Sequence, residues 1–232
     1  MTTAEIYRDG SYAASHPTWH TERSVWKASQ ICKLLDQHNV RPTSILDIGC
    51  GAGHCLKHVA EKFNCVAESL GIEPSPDVAS KVKANAVRIE QKSVHEVDRK
   101  FDLAMMLDVF EHVEDYLGFL KEARRKARWF GFHIPLDIYA LRVLAGRMTT
   151  SRRQHGHLHY FSRETAFATL QDAGYEIVGW NFTAAAFEGP NRNSISPRNL
   201  LTRFLCKLSP AFVSRTIGGL SLAVLASSEK SA

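Results

Sequence analysis

The chain has 232 residues, 44% of them hydrophobic, which is enough to bury one substantial α/β core with a cap or an extra helix or two. Its five cysteines, at 32, 50, 55, 65 and 206, are odd in number and show no Cys-x-x-Cys spacing, which argues against a disulfide framework and against structural zinc. The formal charge of +5 and pI near 9.0 invite a nucleic-acid reading, but no RNP- or KH-type signature accompanies the charge, and no nucleic-acid partner is expected.

Residues 1–22 are polar and aromatic-rich without periodicity, as in a flap or lead-in, and Met1-Thr2-Thr3-Ala4-Glu5 lacks the basic and apolar regions of a secretion signal. No apolar run is long enough to span a bilayer, so a cytoplasmic location is expected. Val25, Ala28, Ile31, Leu34 and Leu35 recur at helical spacing over 23–38, and Pro42 punctuates before the first strand. That strand, Ile45-Leu46-Asp47-Ile48, breaks into Gly49-Cys50-Gly51-Ala52-Gly53, and Leu56, Val59, Ala60 and Phe63 stripe the following helix. A second apolar run ends in Gly71-Ile72-Glu73-Pro74, and Ser75-Pro76 supplies an N-cap and a first-turn proline for the next helix. Residues 87–89, 101–107 and 129–134 read as the third to fifth strands, with 116–127 helical before the fifth. On that helix Lys121, Arg124, Arg125, Lys126 and Arg128 read as a solvated face.

After Pro135 the pattern changes. Residues 138–148 read as an amphipathic helix and 149–156 as a polar loop, together an insertion over 138–156 that caps the site. Arg147, Arg152 and Arg153 in it could meet a phosphate or carboxylate, or serve only as a soluble surface. Ser162 caps a helix over 163–173, Gly174 ends it, and 175–184 and 221–226 are the sixth and seventh strands. The helical insertion over 186–217 contains a helix at 199–208 with Leu200, Leu201, Phe204, Leu205 and Leu208 on one face. Packing over the terminal hairpin is preferred for that face to a peripheral membrane contact through 198–208. Alternating βα units throughout predict a single doubly wound α/β domain with a mostly parallel seven-stranded sheet, an N-terminal flap and helix over 1–40, and a cap.

A β-branched strand that breaks into three glycines and leads into a helix forms a nucleotide-type cradle, because the backbone there must turn sharply and come close to a ligand. A carboxylate ending the second strand lies where ribose hydroxyls are bound in open α/β sheets, and Glu73 occupies that place. The dinucleotide fingerprint Gly-x-Gly-x-x-Gly would require glycine at position 54, which is His54.

Leu46-Asp47-Ile48-Gly49-Cys50-Gly51-Ala52-Gly53 resembles the first motif of the class I S-adenosylmethionine-dependent methyltransferases. Phe101-Asp102-Leu103 with Leu107-Asp108-Val109-Phe110-Glu111-His112-Val113 looks like that family's fourth strand and the segment after it. Gly156-His157-Leu158-His159-Tyr160-Phe161-Ser162 and Gly174-Tyr175-Glu176-Ile177-Val178 are similar to the late region of its small-molecule and glycan branches. The resemblance implies a Rossmann-like methyltransferase fold and S-adenosylmethionine as cofactor. It places Gly49, Cys50, Gly51 and Gly53 against the methionine part, Glu73 and Pro74 at the ribose and Ser93 beside the adenine. Asp47 would order its own turn or reach the ammonium, and Asp108 would face the sulfonium or ammonium unless it caps the following turn.

The reaction implied is methyl transfer to a polar small molecule or sugar-containing acceptor. A non-catalytic binding or regulatory protein of the same fold is the alternative. If a general base serves, the candidates are His112, then His157, then His133, each of which could instead be a structural histidine. No metal is expected.

Overall fold

The computed structural model describes residues 21–75, 87–185 and 197–229. The expected flap lies outside these residues but for its last two positions, as does the helix expected after Ser75-Pro76. Seven strands form one sheet: β1 (Ile45–Ile48), β2 (Leu70–Ile72), β3 (Arg88–Glu90), β4 (Phe101–Leu107), β5 (Ala127–Pro135), β6 (Glu176–Thr183) and β7 (Ser221–Ser227). Their order is β3-β2-β1-β4-β5-β7-β6, with the first five mutually parallel and β7 antiparallel to both β5 and β6. The chain winds outward from β1 in both directions, so the crevice between β1 and β4 is the switch point where open α/β sheets bind ligands.

The described helices are α1 (Thr21–Gln37), α2 (His54–Lys62), α3 (Tyr116–Ala123), α4 (Ala140–Leu144), α5 (Thr150–His155), α6 (Arg163–Asp172), α7 (Pro197–Leu208) and α8 (Pro210–Thr216). Side chains alternate across each strand, so neighbouring strand residues enter opposite layers. Ile45, Leu103 and Met105 face Ile31, Leu34 and Leu35 of α1 and Leu56, Val59 and Ala60 of α2. Leu46, Ala104, Met106, Phe130 and Phe132 face Leu120 and Ala123 of α3 and Ala166 and Leu170 of α6. Burial on both sheet faces explains the almost unbroken apolar reading of β4 and β5.

Three expectations are corrected. The helix expected over 116–127 stops at Ala123 and tightens into a 3-10 turn, Arg124–Lys126, leaving Arg128 on β5. Arg124 and Lys126 are drawn inward rather than solvated, donating to the carbonyls of Ser228 at 2.5 Å and Val97 at 2.9 Å. The polar stretch 149–156 is helical as α5, because Ser151 is buried and anchored, and Gly156 at φ 78° provides the left-handed cap. The preceding helix is only the five residues of α4, whose chain turns away at Gly146, φ 65°.

The third correction concerns the apolar stripe of α7, which points outward: Leu200, Leu201, Phe204 and Leu208 are 54%, 58%, 59% and 68% exposed. The packed side of the helix carries Cys206 and the buried Thr202, and of the stripe only Leu205, at its edge, joins Cys206 against Val213 of α8 and Leu220. Leu141, Val143 and Leu144 on α4 are exposed as well. Among the described residues no helix is long and apolar enough to cross a membrane.

Candidate functional site

At the carboxyl end of β1 the chain turns through Gly49, Gly51 and Gly53 at φ 70°, 51° and 76°, in left-handed backbone that other residues adopt only with strain. The backbone N–H groups of Gly49 and Cys50 both donate to the carbonyl of Ile72, at 2.9 and 3.1 Å, which ties the turn to the end of β2. A Cβ on Gly53 would stand 2.6 Å from Cδ1 of Ile89, so the turn also needs glycine to lie against β3. Glu73, leaving β2, accepts from the N–H of Gly51 at 3.1 Å through one oxygen and from that of Ser75 at 3.1 Å through the other. Turn and carboxylate thus form one unit. Burial raises the Glu73 carboxyl above its ordinary range, against those two N–H donors.

Asp47 is buried on β1 behind this turn, and its Oδ2 has no hydrogen-bond partner in the protein. Burial, with the Glu73 charge adding, pushes its carboxyl up to about 8, against the Leu56 N–H. A buried carboxyl with one unpartnered oxygen beside a glycine turn suits a cationic ligand group, whose charge would favour ionisation. Cys50 is buried with its sulfur over Gly71, where a Cβ would stand 2.6 Å away, and Pro74 is exposed past the carboxylate. The hydroxyl and N–H of Ser93 both donate to Glu96 at 2.8 Å, which caps the turn Val94–Glu96.

The end of β4 supplies Asp108, whose φ of 57° is a strained value for a non-glycine residue. Its carboxylate accepts from Lys27 of α1 at 2.5 Å and from Nδ1 of His133 on β5 at 2.5 Å. Nε2 of His133 meets Thr183 at 3.0 Å. Burial acts to raise the Asp108 carboxyl and to lower the Lys27 ammonium, but their proximity outweighs both, so the pair stays charged. Both nitrogens of the buried His133 are committed within the protein, so this histidine orients Asp108 and is not placed to accept a proton from an acceptor.

The 3-10 turn Phe110–His112 follows, and the loop after α5 is pinned to it: the carbonyl of Glu111 accepts from the N–H groups of Leu158 at 2.8 Å and His159 at 3.1 Å. This brings His157 beside His112, with ring centroids 5.0 Å apart. His157 Nδ1 donates to Asp137 at 2.6 Å. The other oxygen of Asp137 accepts from Arg142 and, at 2.8 Å, from Ser151, whose hydroxyl itself accepts from Arg142 at 2.6 Å. Burial is the largest single influence on the Asp137 carboxyl and acts to raise it, but His157, Ser151 and Arg142 together outweigh burial and hold the carboxyl below its ordinary value. His112 Nδ1 donates to the carbonyl of Gly156 at 3.2 Å, and burial with His157 nearby pushes its pKa down to about 4. The arginine that reaches the site is therefore Arg142, while Arg147, Arg152 and Arg153 are exposed.

Lys27, Asp137 and Thr183 are absent from the residues singled out in the sequence, where Glu111 stands only as a member of the 107–113 motif with no role of its own. Asp137 carried the same signal as Glu73, a carboxylate closely following an apolar strand. Lys27 and Thr183 carried none, since each is one polar position among several on its element.

Residues 19–179 match the family described as a methyltransferase domain. Norajmaline N-methyltransferase of Rauvolfia serpentina is 30% identical over 135 residues, 54% of this chain and 44% of that protein, so the chain spans under half the length of this relative. In fold, the chain is similar to an S-adenosylmethionine-dependent methyltransferase of Thermotoga maritima described as a possible histamine N-methyltransferase, with TM-score 0.60 and 16% identity over 97% of this chain and 98% of that one. It is also similar to magnesium protoporphyrin IX methyltransferase of Synechocystis with bound SAH, with TM-score 0.57 and 16% identity over 90% and 84%. With its sheet order, three-glycine turn and matched span, the chain belongs to the methyltransferase-domain family, in the class I α/β fold.

Proposed function

We propose that this chain transfers a methyl group from S-adenosylmethionine to an oxygen or nitrogen of a polar small molecule, sugar-containing acceptors among them. The observation that carries the reading is the unit formed by the glycine turn, Glu73 and the unpartnered Oδ2 of Asp47 at the switch point of the sheet. The residues fit the cofactor: Glu73 has acceptor capacity beyond its two backbone donors for ribose hydroxyls, and Asp47 offers an unpartnered oxygen to an ammonium group. When bound, the cofactor's sulfonium supplies the reactive methyl, so no electrophile need come from the protein.

What remains for the protein is alignment and the fate of the acceptor's proton. Asp108, an ionised carboxylate paired with Lys27 and held by His133 at the end of β4, would face the cofactor's cationic part. Asp137 holds His157 in the tautomer that leaves the lone pair on Nε2, the arrangement a proton acceptor requires. The polar cluster of His112, His157 and Arg142 supports a polar acceptor, and the names norajmaline N-methyltransferase and magnesium protoporphyrin IX methyltransferase support the small-molecule class. Isothermal titration with S-adenosylmethionine tests the reading. Saturable binding weakened by Glu73→Ala is expected, and no detectable binding to the folded wild type would overturn it.

A further inference from the structure

We infer that Glu111, His112 and His157 bind one divalent transition-metal cation, of the kind that two imidazoles and a carboxylate select, at the acceptor end of the site. The inference rests on the methyl-transfer reading and adds to it the means of activating the acceptor. One ligand atom from each residue lies within 4.8 Å of those of the other two, and Nε2 of His112 is 4.0 Å from Oε1 of Glu111. A cation about 2.0–2.2 Å from each donor holds them roughly 3.3–3.5 Å apart, so the cluster need close by only about an ångström.

Both histidines are prepared as ligands by what holds their other nitrogen. A carbonyl and a carboxylate can only accept, so Gly156 and Asp137 fix a proton on each Nδ1, which makes Nε2 the ligating nitrogen of each ring. Asp137 is fixed in turn by Arg142 and Ser151, the outer support that tunes a metal-bound imidazole. The independent observation is Glu111. Its side chain is 0% exposed and neither carboxylate oxygen has a hydrogen-bond partner in the protein, so its charge is offset either by a proton, which burial favours, or by a bound cation that takes the proton's place. Its backbone carbonyl also receives the two N–H groups that bring the His157 segment into place, so one turn builds the cluster and supplies its charge.

Three protein donors leave coordination positions open, and the mixed nitrogen and oxygen set suits zinc, cobalt, manganese or iron better than calcium or magnesium. A cation there would hold an acceptor oxygen and lower its hydroxyl pKa, the proton passing to solvent, in place of proton acceptance by His157.

The test is titration of chelator-treated full-length protein with Co²⁺, followed by its visible absorption, and with Zn²⁺ by calorimetry. One equivalent is expected, with affinity falling at least tenfold in His157→Gln and in Glu111→Gln. Circular dichroism checks folding, and His112→Gln substitutes for either variant that does not fold. His54 and His58, one turn apart on α2, are the competing surface pair. His58→Gln is expected to leave uptake unchanged, and loss of the metal in this variant but not in His157→Gln would overturn the inference. Absence of stoichiometric uptake by wild-type protein that binds S-adenosylmethionine overturns the metal site alone, whereas absence of cofactor binding overturns the underlying function.

Discussion

The two ends of the site are built differently. The donor end is mostly backbone: a turn of three glycines, two N–H groups on the Ile72 carbonyl and two on Glu73. The acceptor end is mostly side chains, Lys27–Asp108–His133–Thr183 on one side and Arg142–Asp137–His157 on the other, gathered from α1, β5, β6, α4 and the segments after β4, β5 and α5. A backbone cradle commits the protein to a ligand shape shared across a family. A side-chain network can be changed residue by residue, which is where acceptor choice belongs. The difference also divides the consequences of mutation, since removing a donor-end side chain should reduce affinity while removing an acceptor-end one should reduce stability.

Among the substitutions at the two ends, the largest expected loss of stability is therefore at the acceptor end. Asp137→Ala leaves Arg142 without its carboxylate and His157 without its orienting partner, both nearly buried, at a cost of about 3 kcal/mol. Urea unfolding measures it, and a loss under about 1 kcal/mol would erase the contrast between the two ends. Glu73→Ala should instead weaken S-adenosylmethionine binding by a factor on the order of thirty, about 2 kcal/mol for hydrogen bonds to a charged group, with less loss of stability than Asp137→Ala. Cofactor affinity within threefold of wild type would refute the ribose role.

That same division governs what could be read in advance. Glu73 and the glycines were legible because a backbone turn demands particular residues at fixed spacing, and β4 over 101–107 was placed residue for residue by its apolar run. The Glu111–His112–His157 cluster was not legible, since its members lie on segments that only the Leu158 and His159 backbone bonds bring together. His133 offered a titratable ring in a plausible place, and only tertiary structure reveals that Asp108 and Thr183 occupy both its nitrogens. The stripe on α7 had the right period for an amphipathic helix, but period alone does not say which face is covered.

The pH dependence tests the donor end from another direction. Asp47 is held at about 8 by burial in the folded protein and returns to an ordinary aspartate value, about 4, on unfolding. Between those values the folded state binds the extra proton, so unfolding free energy falls as pH rises. Thermal melts of the ligand-free protein should show this contribution fully below about pH 4 and lost by about pH 8, and Asp47→Asn should flatten the slope. Affinity for the cationic cofactor should move the opposite way, rising with pH toward 8 as the carboxyl ionises, and Asp47→Asn should remove that rise too. A wild-type slope unchanged in Asp47→Asn would assign the dependence to another group.

The smallest expected effect lies farthest from both ends. Phe204 of α7 is 59% exposed and Leu201 58%, so replacing either by serine removes little packing and should change unfolding free energy by no more than about 0.5 kcal/mol. Val213, fully buried between α8 and the end of the sheet, is the internal control: Val213→Ala removes packed methyl groups, and should cost about 1–2 kcal/mol. If Phe204→Ser cost as much as Val213→Ala, the stripe would be packed in solution, as its period first suggested. If only Val213→Ala is costly, α7 is attached through the side that carries Thr202, Leu205 and Cys206, and its exposed apolar residues are free of the fold's own stability requirements.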